Sequence, residues 1–177
     1  MAGPFPEFHT KDLPVYPSDL FIEWINIAIE EGVYEPHTMT LSTIDESGAP
    51  DARILILKNV TRNKWYFATS ATSRKREQLK SNRRVALMFN WSTIDRQIRI
   101  RGVASKMTAE ASSRDFLERS SEAREIALLG NQSKEMIHRE DIDKELLKTR
   151  VLLKQTPNIV RPTWTLYEVD ANEVEFW

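Results

Sequence analysis

A run of cations between Ser73 and Arg84 is the first stretch of this sequence that offers binding chemistry. The run "SRKREQLKSNRR" holds six Lys and Arg against one acid, Glu77, although the 177-residue chain has a net charge of -1. Arg74 and Lys75 fall in the first turn of a predicted helix, where free N–H groups and the helix dipole already attract anions. Cations at that end weaken a helix, which counts against a solvated helix face and leaves an anion site as the other interpretation. The near-neutral chain favours a small anion over nucleic acid.

Two further cations and an amide stand on predicted strands. Arg53 and Lys58 bracket the apolar run "RILILK", which we expect in the core, and a buried charge there needs an anionic or polar partner. Residues five apart point to opposite faces of a plain strand, so one shared ligand requires a bulge or a ligand along the strand edge. The alternative is that each cation reaches solvent from a strand end. Gln97 lies on a polar strand face, and it either faces solvent or contacts the edge of a heteroaromatic ring.

Several classes of chemistry find no support. The chain has no cysteine, which excludes disulfides and thiolate ligands, and its three histidines, His9, His37 and His138, lack metal-ligand spacing. Its five glycines cannot build a Gly-rich phosphate loop, so side chains and helix N–H groups must hold any phosphate. We assign no metal site and no catalytic side chain, and we expect no nucleic-acid or membrane partner.

The elements that must position these residues predict an α+β domain. Ser18 is expected to cap a helix that ends at Gly32, and hairpin-linked strands follow, with turns at "DESG" and "TRNK". After the strand "RQIRIRGVASKMT" the pattern is helical, and "TWTLYEVDANEVEFW" returns to strand. Short links favour an antiparallel sheet closed into a barrel with flanking helices. We predict a single cytoplasmic domain, 1–177, with an irregular N-terminal arm, 1–17, and no signal peptide.

Three runs carry a family resemblance: "TLSTIDESGAPDARILILK", "WYFATSATSRKREQLKSNRRVALMFNW" and "RQIRIRG", followed by "NQSK" and the final "VEFW". Their order and spacing resemble the pyridoxamine 5'-phosphate oxidase family of FMN-binding flavoproteins, from Pro36 to Trp177. The most specific parts are R-x-x-x-x-K, the S-R-K turn and W-x-x-x-x-R-Q. The resemblance implies an antiparallel split β-barrel and a homodimer that binds FMN at the subunit interface.

The resemblance also implies a set of flavin contacts. The FMN phosphate would be bound by Arg53, Arg74 and Lys75, with Ser73 beside them, and this phosphate would be the anion of the basic helix. Lys58 would lie near the flavin ring. The other contacts carried over, some of them from the partner chain, are Ile54 and Leu55 through the main chain, Thr69, Gln97, Gln132, Ser133 and Trp177. The remaining basic residues of the run are expected to be solvated: Arg76, Lys80, Arg83 and Arg84.

The substrate positions depart from the family pattern. Where the family's oxidases bind the substrate phosphate with Tyr, Arg and Ser, this chain has Asp115, Arg119 and Ala123, so Arg119 alone remains a candidate substrate contact. The family's C-terminal R-L-H-D-R segment is expected to be absent after Trp177. We therefore expect an FMN-dependent oxidoreductase with an altered small-molecule substrate. The alternatives are a genuine pyridoxamine 5'-phosphate oxidase with a shortened C-terminus, a non-catalytic flavin-binding protein, and nucleic-acid binding through the basic helix.

Overall fold

The computed structural model describes residues 10–11, 13–70, 73–129 and 139–177. These residues fall into two compact units. The barrel unit comprises the described residues of Met1–Phe67, Gln78–Ser105 and Glu168–Trp177, and the helical unit comprises those of Ala68–Glu77 and Lys106–Tyr167. The single domain over 1–177 stays a prediction, and most of the expected N-terminal arm lies outside the described residues.

Six strands close into a barrel in the order β1-β2-β3-β6-β5-β4. The strands are β1 Thr38–Ile44, β2 Pro50–Thr61, β3 Lys64–Ser70, β4 Arg84–Trp91, β5 Arg96–Lys106 and β6 Trp164–Phe176. Strand β2 runs antiparallel to β1 and β3, and β4 runs antiparallel to β1 and β5. The described residues also form five α-helices, α1 Pro17–Glu30, α2 Arg74–Ser81, α3 Ala109–Leu117, α4 Ser121–Leu129 and α5 Arg139–Gln155, and a short 3-10 helix, Ser92–Ile94. The predicted α+β antiparallel barrel with flanking helices is confirmed.

Alternating burial along the strands fills the core of the barrel unit. The inward residues are Met39 and Leu41 on β1, Trp65 and Phe67 on β3, Leu87 and Phe89 on β4, and Ile98 and Ile100 on β5. Helix α1 adds Phe21, whose ring packs edge-on against Phe89 at 4.8 Å and Trp65 at 6.0 Å between centroids. Burying each such side chain stabilises the fold by about 1.5–3 kcal/mol. This core fixes the face of each strand that points outward.

The start of α1 differs from the expected Ser18 cap. Tyr16 is the N-cap, without a side-chain hydrogen bond, and Pro17 takes the first helical turn. Proline suits that place because its φ is already helical and its missing N–H costs nothing there. Ser18 lies inside the helix and is fully buried. The expected end is confirmed, because Gly32 adopts a left-handed φ of 71°.

One glycine permits a close approach of two strands in the barrel unit. A Cβ placed on Gly102 of β5 would lie 2.3 Å from the carbonyl oxygen of Asp170 on β6. Any side chain at residue 102 would therefore push β5 and β6 apart.

The helical unit packs around a small aromatic core. Phe116, Ala127 and Trp164 are buried together, and the rings of Phe116 and Trp164 meet edge-on with centroids 5.6 Å apart. Thr108 caps α3, because its hydroxyl accepts a hydrogen bond from the N–H of Ala111 at 3.1 Å. None of the helices in the described part of the chain has the length and apolar character that a membrane crossing requires.

Candidate functional site

Strand β2 carries a group of predicted flavin contacts. They are Arg53, Ile54, Leu55 and Lys58. The pairing of β2 with β3 shifts by one residue between Leu57 and Asn59, so Lys58 is the extra residue of a β-bulge. Burial alternates along β2 as far as Leu57, and Lys58 after it is half-buried as well. The bulge therefore turns Lys58 toward the less exposed face of β2, which also carries Arg53, as one shared ligand would require.

The other face of β2 is apolar and open to solvent. Ile54 is 66% exposed and Ile56 is 47% exposed. The expectation that "RILILK" lies in the core is wrong for this face, because a strand in a barrel buries alternate residues only. Ile54 pairs with Thr40 of β1, which pairs in turn with Met88 of β4, itself 38% exposed. Ile54, Ile56 and Met88 form an exposed apolar strip on β2 and β4, with the half-buried Thr40 of β1 between them.

Arg53 belongs to a ring of hydrogen bonds within the barrel unit. Its guanidinium donates to Thr43 Oγ1 at 2.5 Å, to Gln78 Oε1 at 3.0 Å and to the Leu41 carbonyl at 3.3 Å, and it pairs with Asp51 at 2.7 Å. Thr43 donates to Gln78 Oε1 at 2.6 Å, and Gln78 Nε2 donates to Asp51 at 2.9 Å. Thr43 and Gln78 are buried. The charge on this strand therefore has protein partners.

In the helical unit, buried hydroxyl groups surround the start of α2. Thr69, Ser70 and Ser73 are each at most 2% exposed. The hydroxyls of Thr69 and Ser73 lie 3.1 Å apart, and the N–H of Ser73 donates to the Ser70 carbonyl. Arg74 is exposed and Lys75 is half-buried in the first turn that follows. Hydroxyl, guanidinium and ammonium donors beside a helix N-terminus are chemically suited to a phosphate.

The remaining cations of the basic run behave in two ways. Arg83 and Arg84 are exposed, as expected, and so is Lys80. Arg76 departs from the expectation of a solvated side chain. It is only 29% exposed and pairs with Glu77 at 3.2 Å. Burial raises the pKa of Tyr167, and the charge of Arg76 acts on that pKa in the opposite direction. Arg76 is thus partly buried and paired with an acid.

Gln97 and Trp177 meet in the barrel unit. Their backbones exchange two hydrogen bonds, of 3.0 and 2.9 Å, although 80 positions separate them in the numbering, 97 against 177. Both line a cavity of about 310 Å³, together with Asn90, Ser92, Asp95 and Arg96. Trp177 is 68% exposed. An exposed indole beside an amide and a cavity is a surface on which a planar ring can lie.

Arg96 also lines that cavity, and its side chain is buried in the barrel unit. It is 5% exposed, and its guanidinium lies 4.3 Å from the centroid of the Trp24 ring. Burial lowers the pKa of Arg96. The alternation of β5 already places Arg96 on the face of Ile98 and Ile100, so this inward arginine was detectable in the sequence although we did not select it.

The substrate candidate Arg119 lies over an aromatic ring in the helical unit. Its guanidinium is 4.6 Å from the Trp164 ring centroid, and its contact with the Ala123 carbonyl is long, at 3.5 Å. Its Nε–H is buried without an acceptor among the described residues. Burial lowers the pKa of Arg119, while the charge of Asp115 acts in the opposite direction. Asp115 is itself buried and accepts a 2.7 Å hydrogen bond from Trp164 Nε1.

Two predicted contacts, Gln132 and Ser133, lie outside the described residues. Within the described part of the chain, no three His, Asp or Glu side chains lie close enough to hold a metal ion. The ring residues Thr43, Asp51 and Gln78 were not selected from the sequence. One signal was available, because alternation on β1 places Thr43 on the same inward face as Met39 and Leu41.

Comparison with known proteins decides the family. The family model described as pyridoxamine 5'-phosphate oxidase matches residues 25–164. The chain belongs to the pyridoxamine 5'-phosphate oxidase family. It is 38% identical over 164 residues to the pyridoxine/pyridoxamine 5'-phosphate oxidase of Leptospira biflexa, covering 91% of this chain and 76% of that protein. It is 34% identical over 168 residues to the enzyme of the same name from Vibrio parahaemolyticus, covering 94% and 79%.

Two solved structures share the fold of this chain. The PhzG protein of Burkholderia lata, solved in complex with tetrahydrophenazine-1-carboxylic acid, superposes with a TM-score of 0.88 at 23% identity, covering 99% of this chain and 87% of that one. An FMN-binding protein from Nostoc punctiforme, described as pyridoxamine 5'-phosphate oxidase-related, gives a TM-score of 0.75 at 18% identity, covering 93% and 86%. These likenesses support the split barrel.

Proposed function

We propose that this chain is an FMN-binding oxidoreductase that acts on a small organic substrate. The observation that carries the proposal is the start of α2, where the buried hydroxyls of Thr69 and Ser73 precede Arg74 and Lys75. These donors suit a phosphate monoester in a chain that cannot build a Gly-rich loop. Membership of the pyridoxamine 5'-phosphate oxidase family, together with a fold relative described as FMN-binding, supports FMN as the bearer of that phosphate.

The remaining flavin contacts follow the family pattern. We propose that Arg53 joins Ser73, Arg74 and Lys75 in the phosphate site, and that Lys58 lies near the ring. The further contacts are Ile54, Leu55, Thr69, Gln97, Gln132, Ser133 and Trp177. Bound FMN would supply the electron-transfer chemistry, and the cation of Lys58 would stabilise negative charge on the ring. Hydride transfer to the ring needs no acid or base side chain, so none is assigned.

The exposed apolar strip supports a homodimer with FMN at the subunit interface. Ile54, Ile56 and Met88 form an outward face that a second copy of the chain would cover. Replacing Ile54 with Asp would place a charge on that face, and we expect a shift from dimer to monomer in light scattering. We also expect FMN to dissociate with the dimer. A monomer that keeps one FMN per chain would contradict the interface.

The substrate is proposed to differ from pyridoxamine 5'-phosphate. Asp115 and Ala123 replace two groups that bind the substrate phosphate in the family, and a carboxylate repels a phosphate. Arg119 remains the proposed substrate contact. The names of the curated relatives favour a second candidate function, oxidation of pyridoxine or pyridoxamine 5'-phosphate. If no reductant reduces the bound flavin, the chain would instead be a non-catalytic flavin-binding protein.

The visible spectrum of the purified protein tests the cofactor directly. We expect flavin absorbance that is lost when FMN is stripped and restored in equimolar amount when FMN is added back. Anaerobic bleaching of that absorbance then tests candidate substrates, with pyridoxamine 5'-phosphate and tetrahydrophenazine-1-carboxylic acid as the first two. A colourless protein with no FMN affinity would overturn the proposal. Steep salt-dependent binding of nucleic acid instead would favour that use of the basic helix.

A further inference from the structure

The donors of Arg53 are almost fully used inside the barrel unit. A guanidinium has five N–H groups, of which four are on its two Nη atoms. Nη1 donates to Thr43 Oγ1 and the Leu41 carbonyl, and Nη2 to Gln78 Oε1 and the Asp51 carboxylate. Within the described part of the chain, these contacts use both Nη atoms. The Nε–H is therefore the one donor of Arg53 that remains available to a ligand.

The charge of Arg53 is also compensated. Asp51 Oδ2 lies 2.7 Å from Arg53 Nη2, and the two side chains are only 33% and 20% exposed, so solvent screens this pair little. A phosphate that approached Arg53 would meet a nearly neutral pair. The charge of a phosphate dianion must then be balanced mainly by other cations, and the proposed function supplies Arg74 and Lys75 for this purpose.

Two neutral side chains hold this arrangement. Gln78 Oε1 accepts from both Thr43 and Arg53, while its Nε2 donates to Asp51, so one amide fixes both members of the ion pair. Thr43 is 1% exposed and Gln78 is 3% exposed. Gln78 lies in α2, one helical turn after Arg74.

We propose that Thr43 and Gln78 are positioning residues of the cofactor phosphate site. They orient Arg53 so that it offers a single N–H to the phosphate. This inference rests on the proposed function. In it, Arg53 donates one hydrogen bond to the phosphate and is not its principal ligand. Stability alone does not call for the ring, since replacing buried polar networks with apolar residues is often neutral.

The test compares FMN with riboflavin, which lacks the phosphate, in Thr43→Val and Gln78→Met variants of the full chain. Dissociation constants come from flavin fluorescence, and the melting temperature of the apoprotein is measured in parallel. We expect each variant to weaken FMN about tenfold, the effect of one misplaced hydrogen bond, and riboflavin less than about threefold. Thr43→Ser keeps the hydroxyl and should restore FMN binding.

The matched control Thr165→Val replaces another buried strand threonine, outside the ring, and should leave the FMN-to-riboflavin ratio unchanged. Equal losses for both ligands, or no loss of FMN, in Thr43→Val and Gln78→Met would overturn the inference. An Arg74→Ala/Lys75→Ala variant that retains its preference for FMN would instead remove the phosphate site itself, and the proposed function with it.

Discussion

Replacing both Arg74 and Lys75 with Ala is the sharpest test of the proposed phosphate site. A hydrogen bond to a charged group contributes about 1.5–3 kcal/mol, so losing two should cost about 3–6 kcal/mol. Arg74 is exposed and Lys75 is half-buried, so solvent screening favours the lower end of that range. We therefore expect FMN affinity to fall on the order of a hundredfold. Riboflavin affinity should change less than about threefold, because no phosphate contact is lost.

The assay is titration of FMN and riboflavin followed by flavin fluorescence, on apoprotein of each variant. The control is Arg83→Ala/Arg84→Ala, which removes the same charge from two exposed positions at and before the start of β4. That control should leave FMN affinity nearly unchanged, because exposed charges contribute little beyond their own contacts. Both double variants should keep the melting temperature of the apoprotein.

Two results would refute the reasoning about Arg74 and Lys75. Equal losses of FMN and riboflavin would mean that these residues support the fold or the ring, not the phosphate. A loss confined to the Arg83/Arg84 variant would mean that the anion lies beyond the other end of α2. Either result would be compatible with the barrel fold but would contradict the assignment of Arg74 and Lys75 as phosphate ligands.

Three further predictions concern packing and substrate. Gly102→Ala should lower the free energy of unfolding by about 1–3 kcal/mol in chemical denaturation, because its Cβ meets the carbonyl oxygen of Asp170; an unchanged value would mean that the strands separate without cost. Asp115→Ala should cost about 1–3 kcal/mol by leaving the Trp164 indole N–H unpaired, and Asp115→Asn should cost less because it keeps an acceptor. Pyridoxamine 5'-phosphate should turn over at least tenfold below the median enzyme rate of about 10 per second in a peroxide-release assay; an ordinary rate would favour the second candidate function.

The strands of the barrel were predictable because the pattern that indicates each strand is local. The alternation in "RVALMFNW" and "RQIRIRG" needs only neighbouring residues to indicate a strand with one buried face, and both strands follow it. The start of α1 was not predictable in this way, because Pro17 and Ser18 are both residue types that favour the first positions of a helix. Packing of α1 on the barrel decided between them by burying Ser18 completely.

The partners within the candidate site depend on contacts far apart in sequence. Arg53 was recognisable as a cation on an apolar strand that needs a partner, but its partner Gln78 lies 25 residues away and the Thr43–Gln78 bond spans 35. The bulge at Lys58 is visible only once β2 is paired with β3. Residue types thus indicated that these charges need partners, and tertiary pairing determined which partners they have.

Asp115 illustrates how a residue that opposes one ligand can serve the fold. The family resemblance predicts that Asp115 stands at a substrate-phosphate position, where a carboxylate would be unfavourable. In the helical unit it is buried, accepts the hydrogen bond of the Trp164 indole, and favours the charged form of Arg119, which stacks on the same ring. Arg119 and Asp115 therefore both contact the Trp164 side chain. A substrate that uses Arg119 must approach a guanidinium whose charge Asp115 already offsets, so a ligand with one negative charge is favoured there over a phosphate dianion.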